Sequence, residues 1–428
     1  MAQRHDNALA ACVLTQRPLF LHVTSFMDGL PGVVMAFARK NATHWGRGPT
    51  RSMLPCLAII VDDMEMLTML YGLYEQARGS YHGRVMLDPR LDFQDAMYFA
   101  ATRGFLSALQ WLDAHTRVAC SPHTLRHAAT MGRLEAVQWL AEHRKDAWAD
   151  ITVEQCDGVV LTGSVDLVRY LLTRFRGLVL TTDAMDYAAS QGHLAIVRLL
   201  HEYRSEGCTT DAMDHAARCG LLAIVRFLHE NRHEGCTQMA MDYAAANGHL
   251  DVVQFLHEHR HEGCTTNAMD EAAKNGHLDV VQYLHRHRQE GCTTYAMDMA
   301  AWHNRLDVVQ FLATHRREGF TPMAMGRCAQ LGYLDVIRFL HEHQDGEWNC
   351  HEDTLQEAAR YNHLDVVEYL VQNCTKGCLF TARKCAEERE CHEVIAFLTR
   401  LMRPGLTTCS IRHHTHEDSS RRCQKQTE

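Results

Sequence analysis

No stretch of this 428-residue sequence is long and apolar enough to cross a bilayer. The longest apolar runs are 30-LPGVVMAFA-38, interrupted by Pro and Gly, and 56-CLAIIV-61, where a spanning helix needs ~18 residues. The opening MAQRHDNALAACVLTQR has no sustained apolar region behind its first basic residue, which argues against a secretory leader. Catalytic signatures are also missing. There is no G-x-x-x-x-G-K, no G-x-S-x-G and no Gly-rich strand–helix turn, so phosphate binding and acyl transfer lack a warrant and no enzyme is expected. No C-x-x-C and no H-E-x-x-H occurs either, and neither a metal nor a cofactor is called for. A formal charge of −9 argues against a nucleic-acid surface, which needs a basic patch.

What the chain does contain is soluble, folded material, with 46% hydrophobic and 22% charged residues. Its 17 cysteines are an odd number, and several recur with a repeat rather than as a disulfide framework, which fits a reducing compartment, cytoplasmic or nuclear. The 30 histidines would turn the net charge positive at mildly acid pH. At the level of sequence that is a matter of solubility rather than of sensing.

One period organises the chain. Met185, Met213, Met241, Met269, Met297 and Met325 are spaced by 28 residues, each in a unit such as 265-TTNAMDEAAKNGHLDVVQYLHRHRQEGC-292. A fixed short period marks stacked units that bury their apolar faces only against their neighbours. Each unit reads as two antiparallel helices and a loop. Thr181, Thr209, Thr237, Thr265, Thr293 and Thr321 stand where a hydroxyl can cap the first helix. That helix runs through A-M-D-x-A-A, with Ala272 and Ala273 where a neighbour must come close. It stops at Gly192, Gly220, Gly248, Gly276 and Gly332, and in two units at Asn304 and Asn362. Asn is the other residue that tolerates positive φ, so the substitution pattern implies a left-handed helix stop.

The second helix, L-D-V-V-x-F/Y-L-H, carries Leu250, Val253 and Leu256 with Val252 and Phe255 beside them, an apolar cladding broad enough to pack on two sides. Cations gather at its end (His257, His259, Arg260), where they complement the helix dipole, and Gly263 closes it. The register extends from 57-LAIIVDDMEMLTML-70 to 381-TARKCAEERECHEVIAFL-398, in about twelve units. In the last, Arg383 and Glu387 replace Met and Ala, a polar departure suited to an array's end. The organisation expected is a helical N-terminal segment 1–54, an array 55–398 and a polar, disordered tail 399–428.

The string 244-AAANGHLDVVQFLHE-258 resembles the ankyrin repeat, matching its A-A-x-x-G-H-L-x-V-V-x-x-L-L core. The family's T-P-L-H opening is similar to D/N-A-M-D here, with a proline only at Pro322. The resemblance implies an all-α ankyrin-type solenoid whose work is binding a protein partner. The family's usual unit is about 33 residues with a β-hairpin, and 28 residues leave no room for one, so the first helices and short loops must supply the contact. Residues 18–45, ending in Trp45, are dimly similar to an F-box. The alternative role is therefore a ubiquitin-ligase substrate adaptor, against a plain apolar cap on the stack.

Three repeating polar rows invite chemistry. Cys208, Cys236, Cys264 and Cys292 form a ladder, but helices stacked about 8–10 Å apart cannot bring such residues to disulfide or zinc distance. They read as small apolar loop residues. His257 and His261, like His229 and His233, stand at i, i+4 and read as a solvent-exposed helix end. Asp186, Asp214, Asp242, Asp270 and Asp298 form a row rather than a facing pair, so hydrogen bonds to the adjacent helix or loop are expected of them. What remains is variation within a constant frame. Tyr187, Arg218, Tyr243, Asn247, Glu271, Lys274, Asn275, Tyr295, Trp302 and His303 occupy freely changing positions of the first helix. The matching positions of ankyrin repeats line a concave, partner-contacting face. The expectation is a non-catalytic, monomeric scaffold that binds protein, with no nucleic acid and no membrane.

Overall fold

The computed structural model describes residues 32–40, 53–79, 91–147, 156–343, 353–374 and 377–402. Among these residues the chain is all-α, with an isolated bridge at Val179 and no strand. It divides into two compact units, Met1–Ala188 with Ala195–Gly207, and Ala189–Leu194 with Cys208–Glu428. Of the F-box-like segment 18–45, only the helix Gly32–Lys40 is described, with Val34 and Phe37 buried. The rest of that segment, and the tail beyond Met402, lie outside the described residues.

In the first unit the helix Met53–Ile60 is followed by Met64–Gly79, Ala96–Arg103 by Leu106–His115, and Thr124–Thr130 by Leu134–His143. Met53–Ile60 packs on Ala96–Arg103, and that helix on Thr124–Thr130. The earliest pair is the one expected around 57–70. It turns at Asp62, a non-glycine residue with φ of 56°. The next pair departs from the pattern. Its first element is a 3₁₀ helix, Asp157–Thr162, where Gly158, Val159 and Val160 replace the Ala-rich run that favours a regular α-helix.

The second unit repeats one motif more regularly. Its first helices are Thr210–Arg218, Gln238–Ala246, Thr266–Asn275, Thr294–Trp302, Pro322–Leu331, Thr354–Arg360 and Leu379–Glu388. The second helices are Leu222–Asn231, Leu250–His259, Leu278–His287, Leu306–His315, Leu334–Glu342, Leu364–Asn373 and His392–Leu401. Contact between successive pairs runs mainly from first helix to first helix. Ala244, Ala245, Ala272, Ala273, Ala300 and Ala301 are wholly buried at these crossings, where a larger side chain would hold the helices apart.

Local chemistry sets the helix ends. The hydroxyls of Thr209, Thr237, Thr265, Thr293 and Thr321 each accept from the backbone N–H two residues on. The expected stops are left-handed: φ is 85° at Gly276, 56° at Asn304 and 62° at Asn362. Glu390 takes the same conformation with φ of 56° in the last pair, a position the sequence pattern does not single out. Glycine is required at Gly248 for a second reason, since a Cβ there would meet the His277 ring of the next pair at 2.5 Å.

The second helix differs from expectation in two respects. Val252, Val253, Phe255 and Leu256 are buried, but Leu250, expected in the apolar stripe, is only half-buried because it opens the helix at the joint with the preceding turn. The helix also ends at His259, with Arg260 already extended, so Gly263 does not close it. Gly263 instead makes the positive-φ turn of the loop (73°), where a Cβ would meet the Arg288 guanidinium of the next pair at 2.5 Å.

That arginine belongs to a fastening unseen in the sequence. Arg232, Arg260, Arg288 and Arg316 each form an ion pair with the glutamate two residues on: Glu234, Glu262, Glu290 and Glu318. Glu234 also accepts from the Cys208 backbone N–H of the preceding loop at 3.1 Å. In the first unit Asp146 takes the glutamate's place, paired with Arg144 at 2.7 Å and accepting from the Cys120 N–H at 2.8 Å. The loop of Glu234 is thereby tied to that of Cys208, and the loop of Asp146 to that of Cys120. At the array's end, Arg383 and Glu387 pair with each other at 3.2 Å on a surface open to water.

Candidate partner-binding face

The aspartate row is structural. Asp214, Asp242, Asp270 and Asp298 are buried, and each carboxylate accepts two bonds from the next pair's capping threonine. For Asp270 both the Thr293 N–H and the Thr293 hydroxyl donate at 2.8 Å. Asp157 does the same for Thr181 in the first unit, at 2.7 Å twice. Burial raises the pKa of Asp270, and the two threonine bonds only partly offset it. The sequence expectation, a bond to the neighbouring loop, is what forms.

The cysteine row is equally inert. Cys208, Cys236, Cys264 and Cys292 are all buried, and Cys236, Cys264 and Cys292 are in no disulfide. Burial pushes the Cys236 thiol up to about 12, so no thiolate is available at neutral pH. The histidine pair at i, i+4 does not assemble. His261 is exposed, while His257 turns to Tyr283 and His287 of the next pair, with ring centroids 5.8 and 5.5 Å away.

Subtracting these fastenings leaves the outer faces of the first helices. Tyr187, in the first unit, is 43% exposed, and Tyr295, in the second, 41%. Arg218, Asn247, Asn275 and His303 are exposed, whereas Tyr243, Glu271, Lys274 and Trp302 are half-buried. In the second unit these residues gather into three groups. Arg218 lies over the Tyr243 ring, 5.5 Å from its centroid. Glu271 accepts from Lys274 at 2.8 Å, and this bond, with a contribution from Tyr295, raises the lysine pKa. Trp302 stacks against His303 and carries Arg327 over its ring at 4.7 Å. Arg327 is thus part of the face, although the sequence reading does not name it.

Two asparagines have local duties as well. Asn275 donates to the Ala246 carbonyl of the preceding helix end at 2.7 Å, and Asn247 donates to the Tyr243 carbonyl at 2.8 Å. Both are helix-end fasteners that also face water. The sequence reading also passes over Met239 and Met323, which are 54% and 53% exposed. They share the register of Tyr295, and their exposure marks positions where the frame asks for nothing apolar. Down this register the chain holds Asp183, Asp211, Met239, Asn267 and Tyr295, and that variation alone does not distinguish a methionine pointing outward from one completing the core.

Residues 213–257, 241–285 and 269–313 match the family described as ankyrin repeats (many copies), and residues 297–384 match ankyrin repeats (3 copies). Residues 213–384 are thus built of ankyrin repeats. No curated protein matches the chain. Ankyrin repeats are protein–protein interaction modules, which makes protein the class of partner. Among the described residues no helix is long and apolar enough to cross a membrane. Among the described residues these ankyrin units lack the hairpin of the usual form, and the loops after Arg232, Arg260, Arg288 and Arg316 are occupied by the Arg–Glu pair. The first-helix faces are the part of the frame left to vary.

Proposed function

We propose that the protein is a non-catalytic scaffold that holds a protein partner along the first-helix faces of its repeats. In the second unit Tyr243, Tyr295 and Trp302 serve as anchors and Arg218, Asn247, Glu271, Lys274, Asn275 and His303 supply the polar setting; Tyr187 is an anchor of the first unit in its own right. Aromatic residues and arginine carry most of the energy in protein interfaces, and methionine adapts to the shape of what it meets. The observation that carries this reading is the exposure of Met239, Tyr295 and Met323 at one register. In other units that register holds Asp183, Asp211 and Asn267, so stacking does not require an apolar side chain there. The ankyrin repeats at residues 213–384 support it.

Site-specific photo-crosslinking in cells tests this. A photoreactive phenylalanine analogue placed at Met239 or Met323 should trap one recurrent set of protein adducts. The same group at Gln310, exposed on a second helix, should trap none of that set. Equal adducts from both helices would move the interface off the first-helix face.

A further inference from the structure

The thirty histidines are not equivalent. Three of them, His229, His257 and His285, occupy one register of the second helices, and each is inserted into the joint with the next pair. The His229 ring meets the edge of Phe255 at 5.5 Å and the ring of His259 at 5.7 Å. His257 meets Tyr283 at 5.8 Å and His287 at 5.5 Å, and His285 meets Phe311 at 5.5 Å and His315 at 5.6 Å. The second histidine of each group is held parallel to the same aromatic ring, at 4.4, 4.3 and 4.4 Å in turn.

The polar edges are the informative part. Nδ1 of His229 and of His285 is buried without a hydrogen-bond partner. Nδ1 of His257 lies 3.5 Å from Nη1 of Arg288, the arginine of the next loop. A neutral imidazole can present a lone pair to a guanidinium there, whereas an imidazolium would set like charges together. The groups around each site explain why the neutral form is favoured. Burial comes first; Arg260 and His259 act on His229, Arg288 and His287 on His257, and Arg316, His315 and Arg286 on His285. The nearby carboxylates work in the opposite direction: Glu230 and Glu262, Glu258 and Glu290, and Glu318. Three of them, Glu262, Glu290 and Glu318, are already paired with the loop arginines. All three histidines sit below their ordinary range.

We infer that these three joints are acid-sensitive latches, closed by neutral imidazoles and opened when protonation drives the Arg–x–Glu–Gly loop of the next repeat away. Because the lowered imidazoles favour the neutral form, their stability is fully present above the unfolded pKa of about 6.5 and is lost as pH falls through the folded values. Repeats couple to their neighbours, so opening one joint weakens the next. The loop arginine displaced this way is the one paired with the glutamate of its own loop, which makes the latch a control on the rigidity of the array and is independent of which partner it binds.

Denaturant unfolding of the full chain across pH 7.5 to 5.0 tests the proposal. Each such histidine contributes up to about tenfold in the folding equilibrium per pH unit. The wild-type constant should therefore fall at least roughly tenfold further than that of the triple variant His229→Gln, His257→Gln, His285→Gln. A second triple variant to Phe keeps an aromatic ring at each joint, cannot take a proton and should show the same flattening. A control variant replaces His233, His261 and His392, which are exposed, and should keep the wild-type slope. Hydrogen exchange at pH 5.5, corrected for its intrinsic rate, should show lost protection at 257–264, 285–292 and 313–320 in the wild type alone. Wild-type slopes in both triple variants, or equal flattening in the control, would overturn the latch.

Discussion

The Arg218 guanidinium rests on the Tyr243 ring at 5.5 Å, and three repeats later Arg327 rests on Trp302 at 4.7 Å. These are the same two positions of the ankyrin unit with cation and ring exchanged: 218 shares its register with 302, and 243 with 327. The geometry of neighbouring first helices thus favours a contact between these positions and leaves open which side supplies the charge.

A double-mutant cycle on the second of these pairs follows. Trp302→Ala and Arg327→Ala should couple by about 0.5–1 kcal/mol, the range for a cation–π pair open to water. The exchanged variant Trp302→Arg with Arg327→Trp should recover most of that coupling. Urea unfolding measures it. Strict additivity of the two alanine variants would mean that the rings and guanidinium are merely adjacent. Because Trp302 is half-buried, its single alanine variant is expected to cost less than about 1 kcal/mol of stability while weakening partner binding by about 2 kcal/mol or more.

The aspartate row gives a sharper contrast. Asp270→Ala removes the acceptor for both Thr293 donors and leaves a backbone N–H and a hydroxyl to be buried unpaired, at a cost of about 1–3 kcal/mol. Asp270→Asn keeps an acceptor for the N–H, and its amide can donate to the Thr293 oxygen. It also removes a carboxylate whose pKa burial has raised. The asparagine variant should therefore stay within about 0.5 kcal/mol of wild type at pH 7. Equal melting temperatures for Ala and Asn would show that the threonine bonds add nothing.

Much of this frame is legible in the sequence because it rests on residues that act locally. A threonine caps its own helix, and a glycine or asparagine ends one, so the repeated Thr, Gly and Asn could be assigned from their register alone. The aspartates were assignable by elimination, since a row of equivalent positions cannot form a facing pair. The Arg–Glu fastening was not legible. Its effect is felt in the preceding loop, as when Glu234 reaches Cys208 across 26 residues, and only the stacked geometry brings these together. The histidines were misread as uniformly solvated for the same reason: His257 lies near Arg288 only once the second helices are side by side. On the candidate face, the aromatic positions were readable as variation. Met239 and Met323 were not, because methionine also fills the core register at Met241 and Met325.

The loop fastening predicts a response to strong acid. Burial tends to raise the Glu234 pKa, but Arg232 and the backbone N–H donors outweigh it and bring it down to about 2. A carboxylate lowered in this way stabilises the fold above its unfolded value near 4.5, and that contribution is lost as pH falls toward 2. Glu234→Gln should reduce the loss of stability between pH 4.5 and 2.5, at the expense of a lower starting stability at pH 7. Parallel pH profiles for variant and wild type would show that Glu234 titrates as an ordinary surface carboxylate.

The helix stops give the last prediction. Asn304 and Glu390 hold the position of Gly276, with φ of 56° in both cases. Asparagine tolerates this conformation because its short side chain can bond locally, whereas glutamate has no such help. Asn304→Gly should therefore be neutral or slightly stabilising. Glu390→Gly should stabilise by about 1 kcal/mol, the cost of a left-handed non-glycine residue. Asn304→Val should destabilise clearly, since a β-branched side chain at positive φ is a strong outlier. The order expected by calorimetry is Glu390→Gly highest, Asn304→Gly at or just above wild type, and Asn304→Val lowest. If Asn304→Val melted with Asn304→Gly, the left-handed stop would not be what ends these helices.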